Sequence, residues 1–210
     1  MPKKTSRDDV NLIKNWYQAG EYQKVVDYML QNKHLYQPAQ YHYNLGSTFA
    51  KMGQWPGARY HLEKSYNYGY DTFQLENNLT YVKEKMNLNE PTFSVTDKAS
   101  WIHFSSSLPM EAATSFSLLV IAVLLVCFLM KKISSLKIFS LWVVISLIPL
   151  ISLYLIKKNY HSAVILDPQI SREGPSAIFE KSQNLPAGLK VIVGRSSGSW
   201  FYIVHPRDYT

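Results

Sequence analysis

The stretch NLGSTFAKMGQW, residues 44–55, decides how the N-terminal part of the chain folds. A lone amphipathic helix would not carry both Gly46 and Gly53, because a helix-interior glycine costs about 0.5–1 kcal/mol relative to alanine. Comparing the chain with itself supplies the reason for them. Asn11-Leu12 recurs as Asn44-Leu45 and again as Asn78-Leu79, at spacings of 33 and 34 residues. At the first spacing Trp16 falls on Phe49, Gly20 on Gly53, Tyr22 on Trp55, Val25 on Ala58 and Met29 on Leu62. That period suits a helix-turn-helix unit. Gly46 then lets the second helix approach the first, Gly53 turns the chain, and Ala58 is small where the helices cross. One unit cannot bury its apolar face alone, so stacking supplies the core, with Leu12, Leu45 and Leu79 in it. A plain helical bundle with accidental spacing is the competing reading.

Residues 39–72 resemble the tetratricopeptide repeat through Leu45-Gly46, Phe49, Gly53, Ala58 and Leu62. They depart from it at His42, where a large apolar residue is usual, and at Ser65, where alanine is preferred. The resemblance implies an all-α tetratricopeptide-repeat solenoid of about two and a half units over residues 8–86, closed by a single helix near 72–86. It also implies that the residue before each repeated leucine projects into a concave groove. Asn11, Asn44 and Asn78 would form a ladder there, suited to hydrogen-bonding the backbone of an extended peptide. Lys14, Tyr43, Ser47 and Lys51 would line the same face. The alternative is that these are simply solvated polar positions. The Lys/Asn set of a full C-terminal carboxylate clamp is not present.

Residues 112–130 and 138–156 are two charge-free runs of 19 residues. Each would span roughly 28 Å as a helix, close to the ~30 Å hydrocarbon core of a bilayer. KKISSLK, residues 131–137, leaves room only for a tight reversal. The reading is a transmembrane α-helical hairpin with Pro149 inside its second helix and Cys127 facing lipid or the partner helix. A buried hairpin of a soluble protein would need these runs covered. Both flanking segments then lie on one side. Three lysines in the loop favour a cytoplasmic loop, with Lys98, Lys157 and Lys158 as a competing set. The opening MPKKTSRDDV has no apolar core, so it does not read as a signal peptide. Either the soluble parts face the cytoplasm, or the true start lies upstream. Residues 87–111 read as a linker, with Trp101 and Phe104 placed for an aromatic belt at the membrane surface.

After the hairpin the period changes to two. Residues 162–167, 189–195 and 199–204 are β-branched or alternating runs separated by turn residues. About fifty residues of short strands make a small all-β barrel over 161–210. The landmarks resemble a bacterial SH3-like domain: Val164-Ile165, the turn from Arg172 through Gly174, Pro175 and Ser176, then Leu185-Pro186-Ala187-Gly188 and Gly198-Ser199-Trp200. That family usually continues where this sequence stops at Thr210, so a last strand is expected to be missing or trimmed. Trp200 and Tyr202 share one strand face, either as barrel core or as a ligand shelf.

The chain has 210 residues, a net charge of +7 and one cysteine, Cys127, which excludes an intrachain disulfide. Its lysines are scattered rather than striped, so nucleic acid is not the expected partner. His34, His42, His61, His103, His161 and His205 stand in no metal-ligand or nucleophile arrangement, and there is no P-loop, dinucleotide fingerprint or nucleophile elbow. The expectation is a non-catalytic protein with no cofactor and no metal. Repeats, hairpin and SH3-like segment in this order resemble the BatE-type proteins of the bacterial Bat (aerotolerance) operon. That resemblance implies an inner-membrane scaffold with both soluble parts in the periplasm. It implies von Willebrand A-domain Bat proteins and a MoxR-type ATPase as neighbours, in a system tied to envelope or oxidative stress. The alternative is a cell-wall sensor binding peptidoglycan peptides through the SH3-like segment.

Overall fold

The computed structural model describes residues 7–88, 98–108, 110–131 and 135–206. The N-terminal part is two tight helix pairs and a fifth helix: α1 (Arg7–Gln18), α2 (Tyr22–Gln31), α3 (Pro38–Lys51), α4 (Trp55–Asn67) and α5 (Phe73–Met86). The turns inside the two pairs are built alike. Gly20 and Gly53 have φ of 76° and 72°, a left-handed conformation that glycine adopts without a Cβ penalty. Glu21 N–H donates to the Trp16 carbonyl at 2.9 Å, and Gln54 N–H to the Phe49 carbonyl at 3.0 Å. The sequence period of 33 is therefore also a repeat of backbone geometry. Pro38 and Pro56 sit in the first turns of α3 and α4, where a missing N–H leaves no broken bond. Thr72 caps α5 by accepting the Leu75 N–H at 3.3 Å.

Two apolar clusters form the helical core. Val25, Val26, Met29, Tyr41 and Leu45 make the first, and Ala58, Leu62, Leu75 and Val82 the second. Phe49 packs against both, so the core runs from one helix pair to the next. α3 and α4 come close together at Gly46, where a Cβ would stand 2.7 Å from Leu62 Cγ and 3.0 Å from the Leu62 backbone nitrogen. Of the three repeated leucines, Leu45 is fully buried and Leu79 packs against the second cluster. Leu12, expected in the core, is instead 38% exposed. The partly buried stripe of α1 that packs on the first cluster is Ile13, Trp16 and Tyr17, at helical spacing, and Leu12 lies beside it. Ser65, which departs from the repeat pattern, is buried and donates to the Ala39 carbonyl at 2.7 Å, tying α4 to the start of α3.

Residues 163–191 pack in the same unit as these helices. Arg59 donates through Nε to Glu63 at 3.1 Å and through Nη1 to the Gly188 carbonyl at 2.9 Å, while Lys190 pairs with the other Glu63 oxygen. Burial alone would raise the Glu63 carboxyl, but Lys190 and Arg59 outweigh it and hold it below its ordinary value. Gly188 has φ of 88°, a left-handed conformation that favours glycine, and a Cβ there would also press on the Met86 side chain. Within this segment β2 (Gln169–Arg172) pairs antiparallel with β3 (Lys181–Leu185). The Arg172 guanidinium closes the connection, donating to the carbonyls of Ala177 at 3.0 Å and Phe179 at 2.7 Å.

The second unit holds the apolar helices. α6 (Lys98–Ser107) occupies part of the stretch expected as linker and carries Trp101 and Phe104, each 46% exposed. The rest of that stretch, residues 89–97 and 109, lies outside the described residues, as does Lys132. α7 (Met110–Leu129) and α8 (Leu136–Asn159) are long and apolar enough to cross a membrane. Their surfaces are open rather than packed: Leu118, Leu129 and Leu136 are 66%, 70% and 68% exposed. A core helix of a soluble protein would have these covered. The polar tie between them is Ser117, whose hydroxyl donates to the Ser146 carbonyl at 2.9 Å.

β1 (His161–Val164), β4 (Lys190–Ser197) and β5 (Trp200–His205) form a three-stranded sheet in the order β1-β4-β5. These are the three runs expected as strands. The barrel expected over 161–210 is not closed among the described residues: this sheet and the β2-β3 pair are separate. Register slips along β4 and β5, between Ile192 and Val193 and again before Ser196, break the regular ladder.

Gly46→Ala should lower stability by about 1–3 kcal/mol through overpacking against Leu62. Gly57→Ala, whose Cβ meets Phe49 only at 3.7 Å, should leave stability unchanged or raise it by up to about 1 kcal/mol. Thermal unfolding followed by circular dichroism in micelles reads the opposite signs. Glu63→Ala strands two cations around a vacated carboxylate and should cost about 3 kcal/mol in urea unfolding. Lys190→Met, at a side chain that is 25% exposed, should cost clearly less.

Candidate functional site

The groove residues expected from the repeat lie on α1, α3 and α5. The structure brings three of them together: the Asn78 amide donates to Ser47 Oγ at 3.1 Å and to the Tyr43 hydroxyl at 3.5 Å. The other two asparagines behave differently. Among the described residues the side-chain amides of Asn11, exposed, and Asn44, half-buried, make no hydrogen bond. Lys14 and Lys51 are exposed and have no ion pair among the described residues. The three asparagines are thus not a uniform ladder. Asn78 is tied down, whereas Asn11 and Asn44 keep their donors and acceptors for solvent or a ligand.

Two tyrosines that were not among the expected groove residues, Tyr17 and Tyr70, stand near them. Tyr43 packs against Tyr70 with ring centroids 4.7 Å apart, and Tyr17 meets Tyr22 edge-on at 5.3 Å. The Tyr17 phenol is raised above its ordinary pKa by burial first, then by the Tyr22 and Tyr43 phenols. Tyr17 has no aromatic counterpart at the repeat spacing, so self-comparison could not single it out, whereas Tyr70 matches Tyr36 at the spacing of 34 and was open to that comparison.

The proposed shelf on β5 is only partly formed. Trp200 is half-buried, while Tyr202 is 64% and the intervening Phe201 62% exposed. The slipped register opposite β4 explains why alternate burial fails there.

A second polar constellation lies between α3 and α4. The Nδ1 atoms of His42 and His61 are 2.8 Å apart. One ring must carry its proton on Nδ1 and the other must not, since two imidazolium rings would repel. His42 stacks on Tyr68 at 5.5 Å with planes 10° apart, and His61 on Phe49 at 5.3 Å. Burial first, then the positive charges of Lys64 and Lys33, lower the His42 pKa to about 4. Burial, His42 and the same lysines lower His61 equally, to about 4. The positions 33 residues earlier are Asp9 and Tyr28, and their side chains also meet, Tyr28 donating to Asp9 at 2.6 Å. A polar bridge between the two helices is therefore part of each unit, with different chemistry in each. Comparison with models of known families, with characterised proteins and with solved structures gave no match.

The histidine pair sets a pH dependence. The folded rings stay neutral down to about pH 4, whereas unfolded histidine protonates below its ordinary value of 6.5. Their contribution is complete above pH 6.5 and is lost as the pH falls toward 4, on the order of 2 kcal/mol. Measured from pH 7 to pH 4, the unfolding free energy of the wild type should fall relative to that of His42→Phe/His61→Leu.

Proposed function

We propose that the chain is a non-catalytic, membrane-anchored scaffold that binds an extended peptide segment of a membrane-complex partner along the face formed by α1, α3 and α5. The observation that carries this reading is that, among the described residues, the side-chain amides of Asn11 and Asn44 make no hydrogen bond and Lys14 and Lys51 no ion pair, on the same helices as Tyr17 and Tyr43, the latter ring-paired with Tyr70. Amides satisfy the backbone of an extended chain, aromatic rings take its side chains, and the lysines favour acidic residues in it. In this reading the helix pairs are a short tetratricopeptide array, and α7 and α8 are the transmembrane anchor. The strands then form an SH3-like module.

The contact of Arg59 and Glu63 with Gly188 and Lys190 supports a same-side arrangement, since residues before and after the hairpin must meet. It fits an even number of crossings. By its order of segments the chain is read as a BatE-type protein of a bacterial inner membrane, with its soluble parts in the periplasm and von Willebrand A-domain Bat proteins as partners. A photoreactive amino acid at position 47 tests the groove in a bacterial host that also makes such a partner. Crosslinks from position 47, absent from the exposed position 66 and lost in Asn11→Ala/Asn44→Ala, are expected. Undiminished crosslinking in the double variant would count against the groove. Phosphatase and β-lactamase fusions at each terminus test the orientation.

The exposed Phe201 and Tyr202 favour a second reading, a cell-wall sensor gripping peptidoglycan peptides through β5. Sedimentation of the full chain in micelles with purified sacculi, weakened by Tyr202→Ser, is its expected signature.

A further inference from the structure

The histidine pair forms one wall of a half-open cavity of about 260 Å³, away from the groove asparagines and outside the role proposed above. Lys33 and Lys64 line it together with His42, His61, Tyr60 and Tyr68. No carboxylate does, among the described residues. Neither lysine has an ion pair among the described residues; the Asp9 carboxylate acts on Tyr36 at the cavity wall, and the lining itself carries two positive charges and no negative one. Each ammonium is held near an aromatic face: Lys33 Nζ lies 5.8 Å from the Tyr41 ring centroid and Lys64 Nζ 5.0 Å from that of Tyr60. A cation–π contact of this kind restrains a lysine without using up its N–H donors.

A cation is disfavoured here by charge, which removes the metal reading that two facing imidazoles would otherwise invite. The volume falls just below the roughly 300–1,000 Å³ of ordinary ligand sites, so a dinucleotide or other large cofactor does not fit. The walls are flat rings, with His42 and Tyr68 stacked nearly parallel. Such walls receive a planar body, and the lysines receive a negative group attached to it.

We propose that this cavity is a binding site for a small ring-bearing anion, an aryl phosphate or aryl carboxylate, whose charged group sits with Lys33 and Lys64 and whose ring lies against Tyr60 and Tyr68. The neutral imidazole pair provides a floor that adds hydrogen-bonding capacity without a competing negative charge.

Isothermal titration of the full chain in micelles with phenyl phosphate tests this, with phenol and inorganic phosphate as the ring-only and charge-only probes. Phenyl phosphate should bind more tightly than either. Lys33→Met/Lys64→Met should weaken it about tenfold or more, given that hydrogen bonds to charged groups are the strong ones. Lys24→Met/Lys85→Met removes the same charge at exposed positions outside the cavity and should leave binding unchanged. Matching melting curves for the two double variants show that both are folded. The proposal is overturned if phenyl phosphate does not bind, if phenol or inorganic phosphate binds as tightly, or if the Lys33/Lys64 variant binds undiminished.

Discussion

The backbone contact at Gly46 is the constraint on which the other features depend. With Leu62 seated where a Cβ would be, α4 lies against α3 at a fixed height and rotation. Three faces of α4 are thereby assigned at once. Ala58, Leu62 and Ser65 turn to the core, Arg59 and Glu63 turn to the 163–191 segment, and Tyr60, His61 and Lys64 line the cavity together with Tyr68 just past the helix end. A small rotation of α4 would break the ion cluster and the histidine contact together. Close packing transmits a change at one glycine to chemistry on both sides of the helix.

Much of this was readable beforehand, for a physical reason. Repeated glycines at 20 and 53 demand a particular backbone conformation, and a demand of that kind survives in sequence. The charge-free runs and the β-branched strands β1, β4 and β5 are likewise set by their own composition. β2 and β3 were not, because LysSerGlnAsnLeu has no apolar alternation and is held by backbone pairing and by Arg172. The helix α6 arises where Ser, Thr and Pro content favoured a linker reading.

The candidate site was legible in outline only. Tyr43, Ser47 and Asn78 do meet, yet which amides remain free depends on donors that sequence spacing cannot assign. The histidine bridge was hidden because its counterpart is Asp9 with Tyr28, equivalent in place and unlike in chemistry. Leu12 shows the converse, since letters that repeat need not repeat a burial: α1 presents Ile13 inward instead. The Arg59 contact was out of reach altogether, its acceptor lying 129 residues further along the chain.

That separation has a consequence for biosynthesis. A ribosome delivers Arg59 and Glu63 long before Gly188 and Lys190, and both apolar helices emerge in between. Until then the Glu63 carboxylate has only one of its two cations, Arg59, and lacks the segment that packs over it. The second cation arrives only when the chain has passed the hairpin and the C-terminal turn has returned to α4. Chains that stall or are cut before that point keep the weaker array, and it is these that open most readily to a quality-control protease.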